Sequence, residues 1–483
     1  MRNGHPLLCA AALTLGACTA VPPRMPAPTL RQQAPLAAAV PLPAATPAQS
    51  AAWPRQDWWR QYDDPTLDTL IERAQARAPS LAVAQARVAA ASAAVRTAAA
   101  AAGAQVEASA DASRQRLSDN GMIPPRFLGF NWYDMADLGL SASYTFDWWG
   151  RQRSSVDAAL DEARASQADR AAAALALASS VAQTYFGWQA DEARADLAAA
   201  ELANIRQQQR IARDRLRAQI DRVDELHQLE AAAAQAREQQ IALTNSARLR
   251  VVVLAALLDC RPDQLPALAP RPLPAATAAL PADVSLDLIA RRADIVASRW
   301  RVEAAAHGVE VARTGFLPDI SVNALLGLQS IDFGKLLRIG SADPALGAAV
   351  HLPLFDSGSL RGNYAASRAQ LQSAIAAYDS TVIDAAREVA SGALARADYR
   401  SRRGQRLDAE QAAAAQQAVA AARVRQGLTD IRPELQARQG WLASRDALLQ
   451  IDAAALQADV TLIQALGGGY QRPADTTRDA RNP

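Results

Sequence analysis

The stretch FDWWGRQRSSVDAAL, Phe146–Leu160, has a counterpart some two hundred residues later in FDSGSLRGNYAASRAQL, Phe355–Leu371. Each places Gly two or three residues after Phe-Asp, then Arg, and then enters a long Ala-rich run. Glycine tolerates backbone angles that a Cβ penalises, and an Asp at such a point caps the free N–H groups of the helix that follows. The pattern therefore predicts two strand-to-helix junctions, marked by Asp147, Gly150 and Arg151 in the first copy and by Asp356 and Gly358 in the second. No His, Cys or second carboxylate is written beside either aspartate, so a catalytic role gains no support.

Two further pairs of segments match in the same order. Ser80–Val88 resembles Asp294–Val302, and Ile220-Asp221-Arg222-Val223 resembles Leu428-Thr429-Asp430-Ile431. The offsets are nearly constant, which argues for an internal duplication. Each half opens with a helical segment, about 67–102 and 284–314. Alternating sequence follows, Val106–Ala110 and more clearly Ile320–Ala324, with the period of a two-faced strand. After a loop comes a second alternating segment, Leu138–Tyr144 or Leu346–Leu354, and then the junction. The longest helix follows, about 154–218 or 360–426, near 100 Å at 1.5 Å per residue. A short break near Gln219–Glu225 or Gly427–Pro433 returns the chain, so each half contains a long antiparallel hairpin. On the first return arm Leu249, Val252, Val253 and Ala256 form the stripe expected of a packed helix face.

The start of the chain has a different character. Residues 1–17 carry Arg2, an apolar run Leu7–Leu15 and small residues before Cys18, the shape of a secretory signal. Leu15-Gly16-Ala17-Cys18 resembles a bacterial lipobox, which implies a covalent lipid on Cys18, and Thr19 rather than Asp after it implies sorting to the outer membrane. Residues 18–54 read as a Pro- and Ala-rich tether. The first repeat is expected over 55–270, the second over 271–470, and a polar tail over 471–483. Once Cys9 leaves with the signal and Cys18 carries lipid, Cys260 remains alone, read as a small core residue, and no disulfide or thiolate metal site is possible.

Of the 483 residues, half are in the hydrophobic class but only 5% are aromatic, and the formal net charge is +2. Such Ala-rich composition suits long, closely packed helices. No basic block points to nucleic acid. No apolar run after the signal reads as a membrane helix. HExxH, GxSxG and phosphate-loop patterns are missing, which leaves no catalytic, metal or cofactor residues to nominate. The aromatic group Trp132, Tyr133, Tyr144, Phe146, Trp148 and Trp149 lies at strand ends, where rings suit a membrane interface. Two strands per half make four, too few to close a barrel in lipid. Three copies would supply about 12 strands, within the known range.

From about Trp58 to Tyr470 the chain resembles the TolC-like outer-membrane efflux channels, specifically the NodT-type lipoproteins. The likeness rests on the lipobox, Trp58-Trp59, the junctions YTFDWWGR and LPLFDSGSLR, the hairpin turns and the closing QALGGG at Gln464–Gly469. The YTFDWWGR version and NGMIPPRF at Asn120–Phe127 resemble members that serve fusaric-acid or major-facilitator-type pumps. The resemblance implies a mainly α fold with a membrane β-barrel part: a homotrimer with a 12-stranded barrel on a helical periplasmic tunnel. It further implies an exit duct that passively conducts drugs or other small toxic compounds, received from a periplasmic adaptor and an inner-membrane pump, across the outer membrane of a Gram-negative bacterium. The tunnel seal in such channels lies at the hairpin tips, here Asp221, Arg222, Asp224 and Glu225 in the first half and Asp430, Arg432 and Glu434 in the second. Arg–carboxylate pairs between hairpins would latch it. Where such channels carry acidic residues at the second tip, this sequence has Pro433 and Gln436. The competing reading is a periplasmic coiled-coil structural or adaptor lipoprotein, which would carry one hairpin flanked by β halves, not two hairpins with strand pairs between them.

Overall fold

The computed structural model of the protein describes residues 21–32, 53–120, 124–220, 222–278 and 284–472. The expected signal peptide, Cys18, the tip residue Asp221 and residues 473–483 of the tail lie outside that set.

In chain order the first half contains α1 (Pro65–Arg77), α2 (Pro79–Ala101), β1 (Gln105–Arg116), the one-turn α3 (Pro125–Leu128), β2 (Trp132–Phe146), α4 (Arg151–Arg217) and α5 (Val223–Leu257). The second contains α6 (Val284–Arg291), α7 (Ala293–Thr314), β3 (Asp319–Ser330), β4 (Ala342–His351), α8 (Ser359–Arg425) and α9 (Arg432–Ala465). The long helices α4 and α8 each have 67 residues. Both opening helices, expected unbroken, are interrupted. Pro79 disfavours the helical region at the preceding residue, and Ala78 sits at φ −57°, ψ 126°. In the second half Arg292 marks the break: its guanidinium donates to Asp294 at 3.0 and 2.6 Å, to Glu388 at 2.8 Å and to the Ala465 carbonyl at 3.0 Å.

The chain forms two compact units, one from residues 1–30, 88–166 and 298–378 and the other from 31–87, 167–297 and 379–483. Each draws on both repeats. In the first unit the four strands form an antiparallel meander in the order β1-β2-β3-β4, so β1 and β4 are its edges. The register sorts the side chains. Val106 pairs with Ala142, Leu140 with Ala108 and Leu326, Tyr144 with Val322, and Ala324 with Leu346, so these residues share one face. Glu107 pairs with Ser141, Asp111 with Asp137, Ser143 with Asn323, and Gly327 with Asp343 on the other. One face is mainly apolar from Val106 to Ala112 and across its partners, with Arg114 and Asp134 paired near its outer end, and the other is mainly polar. Such a strand is hard to read in one dimension, because Ala and Ser alternate almost invisibly along β1.

At the first junction Asp147 accepts from the N–H groups of Gln152 (3.0 Å) and Arg153 (2.9 Å), while Gly150 has φ +78°. The neighbouring Trp149 indole donates to the Pro318 carbonyl at 2.8 Å, and Arg151 reaches Asp319 at 3.3 Å. At the second, Asp356 accepts from Gly358 and Leu360, and Gly358 has φ +91°. Residues 21–32 have no helix or strand, and Pro22, Met25 and Pro28 are half-buried between exposed neighbours. A three-residue repeat is that of a polyproline helix with one edge covered.

The second unit is helical around buried polar pins. Asp459 is fully buried and accepts from the Tyr62 hydroxyl (2.8 Å) and from the N–H groups of Thr277 (3.1 Å) and Ala278 (2.8 Å), with Arg396 at 3.5 Å. Asp64 caps α1 through Thr66 and Leu67 and also accepts from the buried Tyr185 hydroxyl at 2.8 Å. The run Gly467-Gly468-Gly469 has positive φ at all three residues. A Cβ on Gly467 would lie 2.0 Å from the Arg291 carbonyl oxygen, and one on Gly469 would lie 2.1 Å from the Arg55 backbone.

Three sequence expectations are corrected here. Leu249, Val252 and Val253 are 66%, 54% and 47% exposed, not packed within the chain; α5 buries Ala236, Leu243, Ala247, Leu254 and Ala255 instead. With that outward stripe, α5 is long and apolar enough by length and composition to cross a membrane, with a mean hydropathy of 1.2 over its most apolar stretch, where none was expected. It is nevertheless a hairpin arm bonded to α4. Cys260 is half-buried at the end of α5 rather than in the core.

Candidate aperture at the hairpin tips

Both long helices end in the same device. The N–H of Ile220 donates to the Arg215 carbonyl and that of Gln219 to Leu216, while Leu428 donates to Arg423 and Gly427 to Val424. These are Schellman ends, which require a left-handed residue just past the helix. Gly427 takes that conformation freely at φ +70°; in the first tip Gln219 takes it at φ +61°. The return arms begin at Val223 and Arg432.

Side chains from α4 tie it to both return arms near the tips. Asn204 donates to the Leu435 carbonyl of α9 at 2.9 Å, and Gln209 to the Leu229 carbonyl of α5 at 3.0 Å. Farther from the tips Arg194 makes a two-pronged pair with Asp446 of α9 at 2.7 and 3.3 Å. On the α5 side, Asp191 accepts from Ser246 (2.7 Å) and Arg250 (2.5 Å). Helix α4 is thus bonded to both return arms.

The two tips meet at a cleft of about 370 Å³ lined by Gln208, Glu225, Asp430, Arg432, Pro433 and Gln436, among others. Of the residues expected at the aperture, Glu225, Asp430 and Arg432 therefore share one site. Arg222 and Asp224 pair with each other at 3.3 Å within the first tip, at 90% and 59% exposure. Glu434 lies half-buried in the first turn of α9.

Arg432 grips Asp430 of its own tip with Nε at 3.1 Å and Nη2 at 2.8 Å, and its backbone N–H adds a third bond at 3.0 Å. These bonds hold the Asp430 carboxyl below the usual carboxylate range, and Arg215, on α4 of the other hairpin, lowers it further. Arg215, which the sequence reading did not single out, thus contributes a weaker attraction to Asp430 from the other hairpin. The signal for it was weak: Arg215 is one of several arginines at the end of α4, and Asp430 belongs to the other hairpin.

This geometry is that of a known family. The family model described as outer membrane efflux protein matches residues 70–259 and 284–468, one block in each repeat. The multidrug resistance outer membrane protein MdtP of Escherichia coli K12 is 32% identical over 434 residues, covering 87% of this chain and 88% of that protein. The solved structure of the outer membrane protein VceC from Vibrio cholerae superposes with a TM-score of 0.76 at 31% identity, covering 87% of this chain and all of that one. The outer-membrane channel OprN gives a TM-score of 0.81 at 26% identity over 94% of this chain and all of that one. With long paired hairpins, a duplicated sequence and a two-faced sheet, the chain belongs to the outer membrane efflux protein family and is an efflux channel of the outer membrane.

Proposed function

We propose that this channel is the exit duct of a tripartite pump: a homotrimer that receives drugs or other small toxic compounds from a periplasmic adaptor and an inner-membrane pump and conducts them passively outward. The observation that carries this reading is the sheet. Its apolar face suits lipid, its polar face suits a water-filled lumen, and its edges β1 and β4 have no strand partner among the described residues. Further copies satisfy those edges, and three give about 12 strands. The exposed stripe Leu249, Val252 and Val253 on α5 offers the same copies an apolar surface to cover. A structural or adaptor lipoprotein has no use for a sheet that is apolar on one face and open at both edges.

In this reading Cys18 carries the lipid anchor, and Asp221, Arg222, Asp224, Glu225, Asp430, Arg432 and Glu434 surround the closed aperture. Two hairpins per copy place six tips around the axis. The passage needs no cofactor, since the pump supplies the energy. The direct experiment expresses the full chain in a drug-sensitive Gram-negative strain that lacks its own exit channel but keeps a matching adaptor and pump. Restored drug resistance, together with a trimer on native gels, supports the proposal. A monomer that leaves the strain sensitive refutes it. Mass spectrometry of the mature N-terminus tests the lipid on Cys18, and an unmodified cysteine refutes that part.

A further inference from the structure

The loop between β3 and β4 is closed into a flap by its own hydrogen bonds. Asp332 accepts from the Gly334 N–H at 2.9 Å, and the Ser341 hydroxyl closes the loop on the Lys335 carbonyl at 2.8 Å. The backbone N–H groups of Lys335, Arg338 and Ser341 each find a carbonyl within the loop. The flap does not continue the strands. With the outer ends of β2 and β3 it borders an open cleft of about 470 Å³ whose lining includes Met135, Gln329, Ile331, Lys335, Arg338 and Ser341. Met135 and Gln329 lie in the register positions of the polar face, since Met135 is opposite Ser113 and Gln329 is opposite Asp137.

Leu337 and Ile339 take no part in that cleft and are 80% and 96% exposed. They flank Arg338, which lines the cleft. The flap therefore leaves two apolar side chains outside the cleft that it forms with the polar face. A channel whose polar face surrounds water has only one apolar surface to offer them there, the same pair from the other copies.

We infer that Leu337 and Ile339 of the copies meet across the channel axis and form an apolar constriction at the outward mouth, separate from the hairpin tips. Apolar constrictions close by dewetting. The copies are brought together by the open edges β1 and β4, so the inference rests on the trimeric channel reading.

The test uses the full-length protein in intact cells in a Cys260→Ser background. Ile339→Cys is treated with a short bis-maleimide, and Asn323→Cys, on the polar face of β3, is labelled from outside with a bulky membrane-impermeant maleimide. Cross-linking of Ile339→Cys between copies is expected, as is a severalfold faster labelling of Asn323→Cys when Leu337 and Ile339 are both changed to Ser. Intact trimers without cross-links, or unchanged labelling, overturn the inference alone. Lipid-facing or solvent-facing flaps give that result. Absence of trimers in the wild type overturns the channel reading as well.

Discussion

The Tyr62 hydroxyl donates to Asp459 Oδ2 at 2.8 Å across 397 residues of sequence. Burial and the Asp459 charge push the Tyr62 hydroxyl far above its usual range, so it remains a donor at any working pH. Asp459 also holds Arg396 and the backbone N–H groups of Thr277 and Ala278, in the segment that follows α5. Removing a buried carboxylate strands its partners, and we expect Asp459→Ala to cost about 3–5 kcal/mol. Tyr62→Phe removes one bond and should cost about 1 kcal/mol. Thermal unfolding of the detergent-solubilised protein separates the two, and equal effects would contradict the hub role of Asp459.

Two glycines on α9 and just beyond it should respond in opposite directions. Gly467→Ala forces a Cβ toward the Arg291 carbonyl at a residue with φ +90°, where left-handed strain alone is about 1–3 kcal/mol. Gly440, inside α9, has open space around its Cβ position. There Ala should stabilise the helix by up to about 1 kcal/mol. The melting temperature should fall in the first variant and rise in the second; a fall in both would count against this account of the glycine run.

Much of the fold was legible because its signals are local. Asp147, Gly150, Asp356 and Gly358 announce their junctions through capping and glycine conformation, and Gly427 announces its tip. What escaped depends on partners distant in sequence. Leu249, Val252 and Val253 have the spacing of a helix stripe, but spacing does not say whether a stripe packs within the chain or on another copy. Arg215 and Asp430 belong to different hairpins. The break at Arg292 depends on Glu388 and the Ala465 carbonyl, and Asp459 reads as a charged residue on a helix until Tyr62, Thr277 and Ala278 surround it.

The α5 stripe gives a test of assembly. Leu249→Glu places a charge on a surface exposed in the single chain, so the protomer should fold with unchanged helical circular dichroism while trimer yield falls severalfold. Leu254 on the same helix is fully buried. Leu254→Glu should instead abolish folding. Normal trimers from Leu249→Glu would refute the stripe as a subunit contact.

Acid should act on the tip in one direction. The Asp430 carboxyl lies below its ordinary value of 3.8, so its pairing with Arg432 is complete above that value and is lost only as pH falls through the lower one. Conductance should therefore show no step assignable to Asp430 from about pH 8 down to about pH 5. An opening step below that range should vanish in Asp430→Asn. A step near neutral pH that Asp430→Asn removes would contradict the assignment.

Single-channel conductance of the purified protein in planar bilayers tests the central claim, that the channel is sealed where the hairpin tips meet. Wild type should show a small conductance that rises severalfold in Arg215→Ala and in Asp430→Ala, with no comparable rise in Arg213→Ala, which removes an ion pair confined to the first hairpin. Equal, wide-open conductance in all four proteins would contradict a seal at the tips.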